Sequence, residues 1–378
     1  MTKRIPYNSP AYIPESEAYI AQALQSGHLS GDGPFTRKAS TLLESFTQAK
    51  KALLTTSCTH ALEMTALLLD FKPGDEVILP SFTFVSTVNA FVLRGAKPVF
   101  ADIRPDTLNI DETQIEALIT SKTKAIVVVH YAGVACEMDA INALAAKYNL
   151  VVIEDNAHGL FGKYNGKNLG TLSALATQSF HETKNISTGE GGALLINDLR
   201  FLERAEIIRE KGTNRSRFFR GQIDKYSWVD IGSSYLPSEL IAAVLLAQLE
   251  SKDKIQAKRL AIWNTYHTEL NNWANNNAIL QPSIPNHCDH PGHIYYLLMP
   301  NLDSRTRFID WMRSQNILTV FHYLPLHLSD MGLKFGGRVG DCPVTEDISD
   351  RLVRLPLFYD LSKNDQSYVI EKAMAFRA

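Results

Sequence analysis

A lysine in a glycine-rich loop is the first residue of the sequence whose surroundings suggest chemistry. The segment QSFHETKN at 178–185 is followed by TGEGG at 188–192, so Ser179 and Lys184 come at and just after the end of a short apolar run. Glycines allow a ligand or another chain segment to approach the backbone closely. A lysine amine can form a Schiff base with an aldehyde cofactor once its pKa is lowered. The alternative is an ordinary solvated lysine.

Two acidic residues, Glu154 and Asp155, end the apolar segment LVVIED. In open parallel sheets, ligands bind beyond the carboxyl ends of the strands. A carboxylate at such a position is partly desolvated and therefore requires a cationic partner, for which a protonated pyridine nitrogen is suitable. A helix cap or a turn-forming residue is the alternative interpretation.

Small hydroxyl residues precede a helical pattern in TTSCTHALEMTALLL at 55–69. The N-terminus of a helix presents free N–H groups and a partial positive charge, and both favour the binding of a phosphate group. Simple N-capping by Ser57 or Thr59 explains the same residues without any ligand.

Two aromatic residues, Phe82 and Phe84, lie in PSFTFVSTVNAF at 80–91, after another apolar run. Either ring could stack on a planar cofactor or belong to the core. None of these signals is decisive alone, but their order along the chain is consistent: a phosphate-binding turn, a stacking aromatic, a strand-end aspartate and a loop lysine. Spread across one parallel sheet, they predict a pyridoxal-phosphate site.

The segments that would position these residues alternate between short apolar runs and helical patterns. Runs such as AIVVVH and LVVIED are apolar and β-branched for most of their length, which is typical of strands covered on both faces. Helical patterns at 14–27, 59–69 and Met138–Tyr148 favour a mostly parallel sheet with helices on both sides. We predict a turn at 31–35 and seven strands, at 52–56, Glu76–Pro80, 98–103, 125–130, 150–155, 176–180 and 192–197.

The pattern changes at about residue 237. A long helical stretch runs to about residue 270, and a mixed region follows with a strand-like segment at 293–299 and a helix at 304–315. We therefore predict a large α/β domain at 1–240, which includes the N-terminal helix. A connecting helix and a smaller C-terminal α/β domain would occupy 241–378.

The composition of the 378 residues, 45% hydrophobic and 21% charged, is that of an ordinary globular protein. A net charge of -2 without long runs of one sign argues against nucleic acid or a membrane surface as the partner. The sequence has neither a membrane-spanning apolar run nor the apolar region of a secretion signal. Four separated cysteines without a CxxC pair are expected to be free thiols, not disulfides or metal ligands. These features predict a cytoplasmic protein.

Four motifs together resemble one known family. TSCTHAL, PSFTFVSTVNAFVLRGAKPVFADI, IEDNAHG and SFHETKNISTGEGG are similar to the DegT/DnrJ/EryC1/StrS family of sugar aminotransferases. The resemblance extends from GDGPFTR to RLPLFYDLS, nearly the whole chain, and the lysine block with its upstream ED-A-H segment is highly specific. It implies a fold-type I pyridoxal-phosphate enzyme. It also implies a homodimer, or a dimer of dimers, with shared active sites.

The resemblance also implies roles for individual residues. Lys184 would form the Schiff base as the catalytic residue, and Asp155 would keep the pyridine nitrogen protonated. Phe84 would stack on the ring, and His158 would lie near its phenolic oxygen. The phosphate would be bound by backbone N–H groups of Thr59 and His60, by the Ser179 hydroxyl, and from the neighbouring subunit by Ser234, where many relatives have asparagine.

Within the family, the stretches VHYAGVACEMD, REKGTNRSRFFRGQIDKYSWVDIGSSYL and FHYLPLH resemble members that aminate C4 of dTDP-4-dehydro-6-deoxy-D-glucose. These members make a galacto product for surface polysaccharides such as enterobacterial common antigen, with L-glutamate as amino donor and 2-oxoglutarate as co-product. The expected contacts to the nucleotide sugar, for which surface charge or structural histidines are the alternatives, are Lys211, Arg215, Arg220, His322, Tyr323 and His327.

Three other functions are compatible with the same cofactor site. The first is an aminotransferase for a 3-keto sugar, for another nucleotide or with a gluco product. The second is a pyridoxal-phosphate sugar dehydratase, although those relatives replace the lysine with histidine and this chain has Lys184. The third is a cofactor-binding regulator without turnover, against which the presence of both Lys184 and Asp155 argues.

Overall fold

A computed structural model of the chain describes residues 4–377, so residues 1–3 and 378 at the ends of the two predicted domains lie outside it. No helix within the described range is long and apolar enough to cross a membrane.

The helices are α1 (Glu15–Gln25), α2 (Pro34–Thr47), α3 (Cys58–Leu68), α4 (Val85–Val92), α5 (Glu112–Leu118), α6 (Met138–Tyr148), α7 (Leu202–Arg209), α8 (Arg215–Phe219), α9 (Glu239–Glu250), α10 (Lys252–Glu269), α11 (Asn271–Asn276), α12 (Leu302–Ser314), α13 (Asp330–Lys334), α14 (Pro343–Arg351) and α15 (Lys363–Ala375). The strands are β1 (Lys51–Thr55), β2 (Glu76–Pro80), β3 (Lys97–Ala101), β4 (Thr123–Val129), β5 (Val151–Asp155), β6 (Lys163–Tyr164), β7 (Lys167–Asn168), β8 (Leu175–Ser179), β9 (Gly192–Ile196), β10 (Cys288–Asp289), β11 (Tyr295–Leu298) and β12 (Leu352–Leu355).

A seven-stranded sheet in the order β1-β9-β8-β5-β4-β2-β3 forms the centre of the fold. β9 runs antiparallel to both of its neighbours, and the other pairings are parallel. Each predicted strand is found with its ends displaced by no more than about two residues. The prediction of an α/β fold with a mostly parallel seven-stranded sheet is therefore confirmed.

Alternate residues of the central strand β4 point to opposite faces of the sheet, as the two-residue period of a strand requires. Ile126 and Val128 pack with the helices α5 and α6 on one face. Ala125 and Val127 pack with α3 and α4 on the other. Because both faces are covered, the strand has to be apolar at nearly every position, which is the pattern visible in the sequence.

The turn predicted at 31–35 is shorter than expected, because Pro34 and Phe35 already belong to helix α2. The helix begins with proline at its first position, where no backbone N–H is lost. The side chain of Glu239, 1% exposed, accepts hydrogen bonds from the backbone N–H groups of Gly33 at 3.1 Å, Phe35 at 2.7 Å and Thr36 at 3.0 Å. A cap from a residue about 200 positions away has no signature in local sequence.

The helical stretch predicted at 237–270 consists of two helices, α9 and α10, which meet at Ser251. α9 packs against α1 and α2, and its apolar residues share a core with them. The predicted domain boundary at residue 240 stays a prediction. The part of the chain around β11 has a separate core.

A two-stranded antiparallel ribbon is the centre of the C-terminal part. The strand-like segment at 293–299 is strand β11, which pairs with β12, a strand that the sequence analysis did not identify. The predicted helix at 304–315 is α12. The N-terminal segment also contributes here, because Ile5 forms a bridge to Ile317 and lies in the same apolar core. Both ends of the chain therefore stabilise this part.

We predict that Glu239→Ala lowers the free energy of unfolding of the cofactor-free protein by at least about 3 kcal/mol, because several buried N–H groups lose their acceptor. Urea denaturation measures the change. Glu269→Ala, at an exposed position late in α10, is the matched control and should change stability by less than about 0.5 kcal/mol. A loss at position 239 no larger than the control would contradict the capping role.

Candidate functional site

The carboxyl end of strand β5 carries a buried carboxylate that has no basic partner. Asp155 is 5% exposed and accepts hydrogen bonds from the Thr87 hydroxyl at 2.7 Å and from the Ala157 backbone N–H at 3.2 Å. No lysine, arginine or histidine among residues 4–377 forms an ion pair with it. Burial raises the pKa of Asp155 despite the opposing hydrogen bond from Thr87. A cationic ligand would restore the ionised form.

The adjacent acidic residue, Glu154, has a different role from Asp155 because successive strand residues point to opposite faces. Its carboxylate accepts from the backbone N–H groups of Gly170 at 2.7 Å, Leu172 at 2.8 Å and Ser173 at 2.8 Å. The ring of His130 lies 3.0 Å away and donates from Nε2, since its Nδ1 accepts from the chain. Glu154 therefore orders the loop after β7, and Asp155 alone is free to contact a ligand.

Lys184 lies in the loop that follows strand β8. Its backbone N–H donates to the His181 carbonyl at 2.9 Å, and the loop closes where Glu182 donates to the Gly189 carbonyl at 2.8 Å. The Lys184 amine forms no hydrogen bond or ion pair within the part of the chain that the structure describes. Burial is the main cause that lowers the pKa of Lys184 to about 8, against the raising effect of the nearby Asp155. About a fifth of this amine is therefore neutral near physiological pH, far more than of an ordinary lysine.

The N-terminus of helix α3 provides a place for a phosphate. Ser57 caps the helix by accepting from the His60 backbone N–H at 3.1 Å, whereas the N–H groups of Cys58 and Thr59 have no acceptor among the described residues. A Cβ atom on Gly192 would lie 2.4 Å from the Cys58 nitrogen, so glycine is required where β9 passes the helix. N-capping by Ser57 and free N–H groups therefore occur together.

The remaining predicted phosphate contacts lie around this helix. The Ser179 side chain is buried at the end of β8, and the Thr59 hydroxyl contacts that of Ser86 at 2.8 Å. Ser234 is exposed, next to Tyr235, whose carbonyl accepts from the Thr56 backbone N–H at 3.0 Å. The roles of Ser179, His60 and Ser234 toward a phosphate stay predictions.

The two aromatic residues of the PSFTF segment have opposite environments. Phe82 is 1% exposed and packs against Tyr131 with ring centroids 5.1 Å apart. Phe84 is 56% exposed at the start of α4, and its ring centroid lies 6.5 Å from that of Tyr323. The core position therefore belongs to Phe82, and Phe84 is the ring that is available for stacking on a cofactor.

His158 is the centre of a cluster of aromatic rings. Its Nδ1 accepts from the Ala132 backbone N–H at 3.3 Å, so the neutral ring carries its proton on Nε2, which lies 3.3 Å from the Tyr323 hydroxyl. The Tyr131 hydroxyl and His322 Nδ1 form a hydrogen bond of 2.7 Å. Burial holds the pKa of His158 and of His322 well below the usual range, so both rings are neutral.

Two residues at the site were not identified from the sequence. Thr87 orients Asp155 from helix α4. His293 lies with its ring centroid 4.4 Å from that of His158, and its Nδ1 donates to the side-chain oxygen Oδ1 of Asn185 at 2.9 Å. His293 lies in the predicted strand-like segment 293–299, but that pattern does not show where the segment packs.

The three cations predicted to contact a nucleotide sugar already have partners in this structure. Lys211 and Arg220 form ion pairs with neighbouring glutamates at 3.3 and 2.8 Å, and the Arg215 guanidinium lies 4.9 Å from the ring centroid of Phe219. All three lie in a segment with many exposed aromatic side chains, such as Trp228. Their contact with substrate stays a prediction.

His327 uses both of its ring nitrogens for contacts within the protein. Nδ1 contacts the Ser81 hydroxyl at 2.6 Å, and Nε2 contacts the Glu346 carboxylate at 3.0 Å. These bonds attach the segment to the end of β2. A structural histidine, the alternative interpretation of the sequence, accounts for each of these contacts. A role of His327 toward substrate stays a prediction.

The chemistry of this donor set fits a phosphorylated pyridine aldehyde. Asp155 suits a protonated ring nitrogen, the neutral amine of Lys184 suits an aldehyde carbon, and the free N–H groups at α3 suit a phosphate. An exposed ring, Phe84, is available for stacking. Pyridoxal 5'-phosphate carries all of these features.

Comparison with known proteins agrees with this chemistry. The sequence profile of the DegT/DnrJ/EryC1/StrS aminotransferase family matches residues 11–374. The spore coat polysaccharide biosynthesis protein SpsC of Bacillus subtilis is 33% identical over 375 residues, which cover 97% of this chain and 95% of that protein.

Solved structures share the whole fold. The aminotransferase TlmJ of Streptoalloteichus hindustanus has a TM-score of 0.91 and 27% identity, with 99% of this chain and 98% of that chain covered. Spr1654 of Streptococcus pneumoniae, solved in a PLP form, has a TM-score of 0.91 and 25% identity, with 99% and 98% covered. Its PMP form has been solved as well. These findings confirm the predicted cofactor.

We predict that the rate at which the cofactor-free protein attaches pyridoxal phosphate at Lys184 rises about 10-fold between pH 7 and pH 9 and then levels off. The reason is that a pKa of about 8 makes most of the amine neutral by pH 9. An amine of ordinary pKa would instead gain about 100-fold over the same interval. Borohydride trapping and peptide mapping measure the attachment, and a lysine peptide measured in parallel represents the ordinary amine. A 100-fold rise would show that the amine is not desolvated.

Proposed function

The chain belongs to the DegT/DnrJ/EryC1/StrS aminotransferase family, and we propose that it transfers the amino group of L-glutamate to C4 of dTDP-4-dehydro-6-deoxy-D-glucose. The products would be dTDP-4-amino-4,6-dideoxy-D-galactose and 2-oxoglutarate. The protein would thus be a cytoplasmic enzyme of the dTDP-4-amino-4,6-dideoxygalactose transaminase type, supplying a surface polysaccharide such as enterobacterial common antigen.

Whatever its nucleotide sugar, the protein is a sugar aminotransferase that uses pyridoxal phosphate. The observation that carries the function is the pair formed by an unpartnered, desolvated Lys184 amine and a buried Asp155 carboxylate without a cation. Three stretches support the choice of nucleotide sugar, because they resemble family members that aminate C4 of dTDP-4-dehydro-6-deoxy-D-glucose. They are VHYAGVACEMD, the segment at 209–236 and FHYLPLH. The name of the relative SpsC, which refers to polysaccharide biosynthesis, supports the proposed role of the product.

Lys184 and Asp155 have complementary tasks in this reaction. When bound, pyridoxal phosphate supplies an electron-accepting ring that stabilises the negative charge left on the donor's α-carbon. Asp155 holds the ring nitrogen in its charged form, which strengthens this effect. Lys184 would remove the proton from the donor's α-carbon, and a pKa of about 8 lets it both accept and release that proton near neutral pH.

The cluster of rings around His158 would control the orientation of the cofactor in an environment that excludes water. His158 is neutral and presents an N–H group from Nε2, so it would donate a hydrogen bond to the phenolic oxygen of the cofactor without adding a charge. Tyr323 contacts the same nitrogen and would hold the ring in position. His322 and Tyr323 lie on the segment that would form one wall of the sugar site.

A homodimer, or a dimer of dimers, completes the proposal. Ser234 would reach the phosphate of the neighbouring subunit, and Lys211, Arg215 and Arg220 would contact the diphosphate of the nucleotide sugar. The exposed side chains of Phe219, Trp228 and Val229 in this segment support the idea that a second subunit covers it, because large apolar patches usually mark interfaces.

The test of the substrate is incubation of the loaded enzyme with L-glutamate and dTDP-4-dehydro-6-deoxy-D-glucose, followed by NMR of the nucleotide sugar. We expect an amine at C4 with galacto configuration. An amine at C3 or a gluco product would replace this substrate assignment by the related aminotransferase. A deoxygenated product without an amine would identify a dehydratase, and no turnover with any keto sugar would favour the regulator.

We predict that Lys184→Ala lowers the rate of transamination by at least about 100-fold, since the residue that moves the proton is removed. Absorbance of the cofactor and steady-state kinetics measure the effect, and borohydride should attach cofactor to Lys184 in the wild type only. Lys38→Ala, at an exposed position on α2, is the control and should keep the wild-type rate. A wild-type preparation that takes up no form of vitamin B6 would end the proposal.

A further inference from the structure

Arg354 is a half-buried cation that the cofactor site does not use. It lies on strand β12, where its Nη1 donates to the Tyr7 hydroxyl at 2.8 Å and its Nη2 to the Phe321 carbonyl at 3.3 Å. The guanidinium also lies over the Tyr7 ring, 4.7 Å from the centroid. Its Nε is buried and has no hydrogen-bond partner. The side chain is therefore held in place but is not satisfied.

No carboxylate within residues 4–377 pairs with Arg354. Two other arginines do have such a partner: Arg209 contacts Asp32 at 2.7 Å, and Arg204 contacts Asp70 at 2.6 Å. The buried Arg259 instead donates to the backbone carbonyls of Gly292 and His293. Burying part of a guanidinium without an anion is unfavourable, because its hydration is lost without compensation. A neutral phenol and a carbonyl replace that hydration only in part, so the residue is suited to an anionic ligand.

Arg354 faces the reactive part of the cleft. Its register partner on β11 is Tyr296, whose ring packs 5.9 Å from that of Tyr131 in the cluster around His158. Its acceptor Phe321 directly precedes His322. These contacts place the guanidinium beside the rings that surround the cofactor site.

The charge of Arg354 also reaches the catalytic amine. Burial is the main cause of the lowered pKa values of Lys184, His158 and His322, and the positive charge of Arg354 lowers each of them further. The two histidines are therefore neutral, and the Asp155 carboxylate is committed to the ring nitrogen. Arg354 remains as a permanent positive charge whose electrostatic effect reaches the amine.

We propose that Arg354 binds the α-carboxylate of the amino-acid donor, an inference that rests on the proposed function. The α-carboxylate is attached to the carbon that bears the reacting amine, so a cation close to Lys184 is in reach of it. The diphosphate of the nucleotide sugar is attached at C1, across the ring from the C4 carbonyl. Guanidinium and carboxylate match in bidentate geometry, which would fix the α-carbon relative to Lys184.

The partners of Arg354 explain how one cleft accepts two unlike substrates in turn. The amino acid brings a carboxylate and the keto sugar does not. When the sugar is bound, the Tyr7 hydroxyl and the Phe321 carbonyl still hold the guanidinium, so the charge does not have to be removed from the cleft. Neither partner is charged, so both can be exchanged for a carboxylate.

The experiment compares the wild type with Arg354→Gln and Arg354→Lys, all loaded with cofactor. Single-turnover absorbance with L-glutamate should show that the half-saturating concentration rises about 10- to 100-fold in Arg354→Gln, with a smaller rise in Arg354→Lys. The limiting rate should change much less, which separates carboxylate binding from a general loss of structure. Arg313→Gln, which removes an exposed arginine paired with Asp310, is the matched control and should behave as the wild type.

Calorimetry supplies a readout that does not depend on turnover. The dissociation constant of 2-oxoglutarate should rise about 10- to 100-fold in Arg354→Gln, and that of dTDP should stay the same. Unchanged dTDP binding also shows that the variant is folded. Weaker dTDP binding with unchanged 2-oxoglutarate binding would overturn the proposal and assign Arg354 to the diphosphate.

The two proposals fail in different ways. A wild type that converts L-glutamate while Arg354→Gln does so with unchanged half-saturation would overturn the role of Arg354 alone. A wild type that binds 2-oxoglutarate through Arg354 but transfers no amine to any keto sugar would keep the role of Arg354 and overturn the proposed function.

Discussion

The buried carboxylate of Asp155 is the constraint around which the site is built. A carboxylate at the end of a covered strand is stable as an anion only if hydrogen bonds and a cation replace the water it has lost. The protein supplies the hydrogen bonds, from Thr87 and from the backbone of Ala157, but among residues 4–377 no cation forms an ion pair with the carboxylate. In the proposed function the charged pyridine nitrogen of the cofactor would fill that place, so cofactor binding and the electronic activation of the cofactor would have the same physical origin.

Desolvation has a second consequence at Lys184. The same dry environment that raises the pKa of Asp155 lowers the pKa of the lysine to about 8, because burial disfavours whichever form is charged. An amine with this pKa is neutral often enough to attack an aldehyde and basic enough to remove a proton. Burial therefore gives Asp155 and Lys184 complementary acid–base properties. The nearby histidines are neutral and add no charge.

Buried carboxylates elsewhere in the chain show what distinguishes a structural acid from a functional one. Glu154 and Glu239 are as deeply buried as Asp155, yet each accepts several backbone N–H groups and thereby orders a loop or a helix start. Asp155 has one side-chain donor and one backbone donor, and the rest of its capacity is left for a ligand. The same contrast separates Arg209, paired with Asp32, from Arg354 in the cleft.

The sequence by itself determined the sheet and the cofactor, because strand period, apolar runs and the lysine motif are local properties of the chain. It predicted each strand of the central sheet to within about two residues and proposed Lys184 and Asp155 as candidate cofactor residues. It could not determine contacts between distant segments, such as the cap of α2 by Glu239 or the position of His293 beside His158. Only the tertiary structure decided which of Phe82 and Phe84 is buried and left Arg354 without an anion, because burial and charge pairing depend on all the segments that meet at a point.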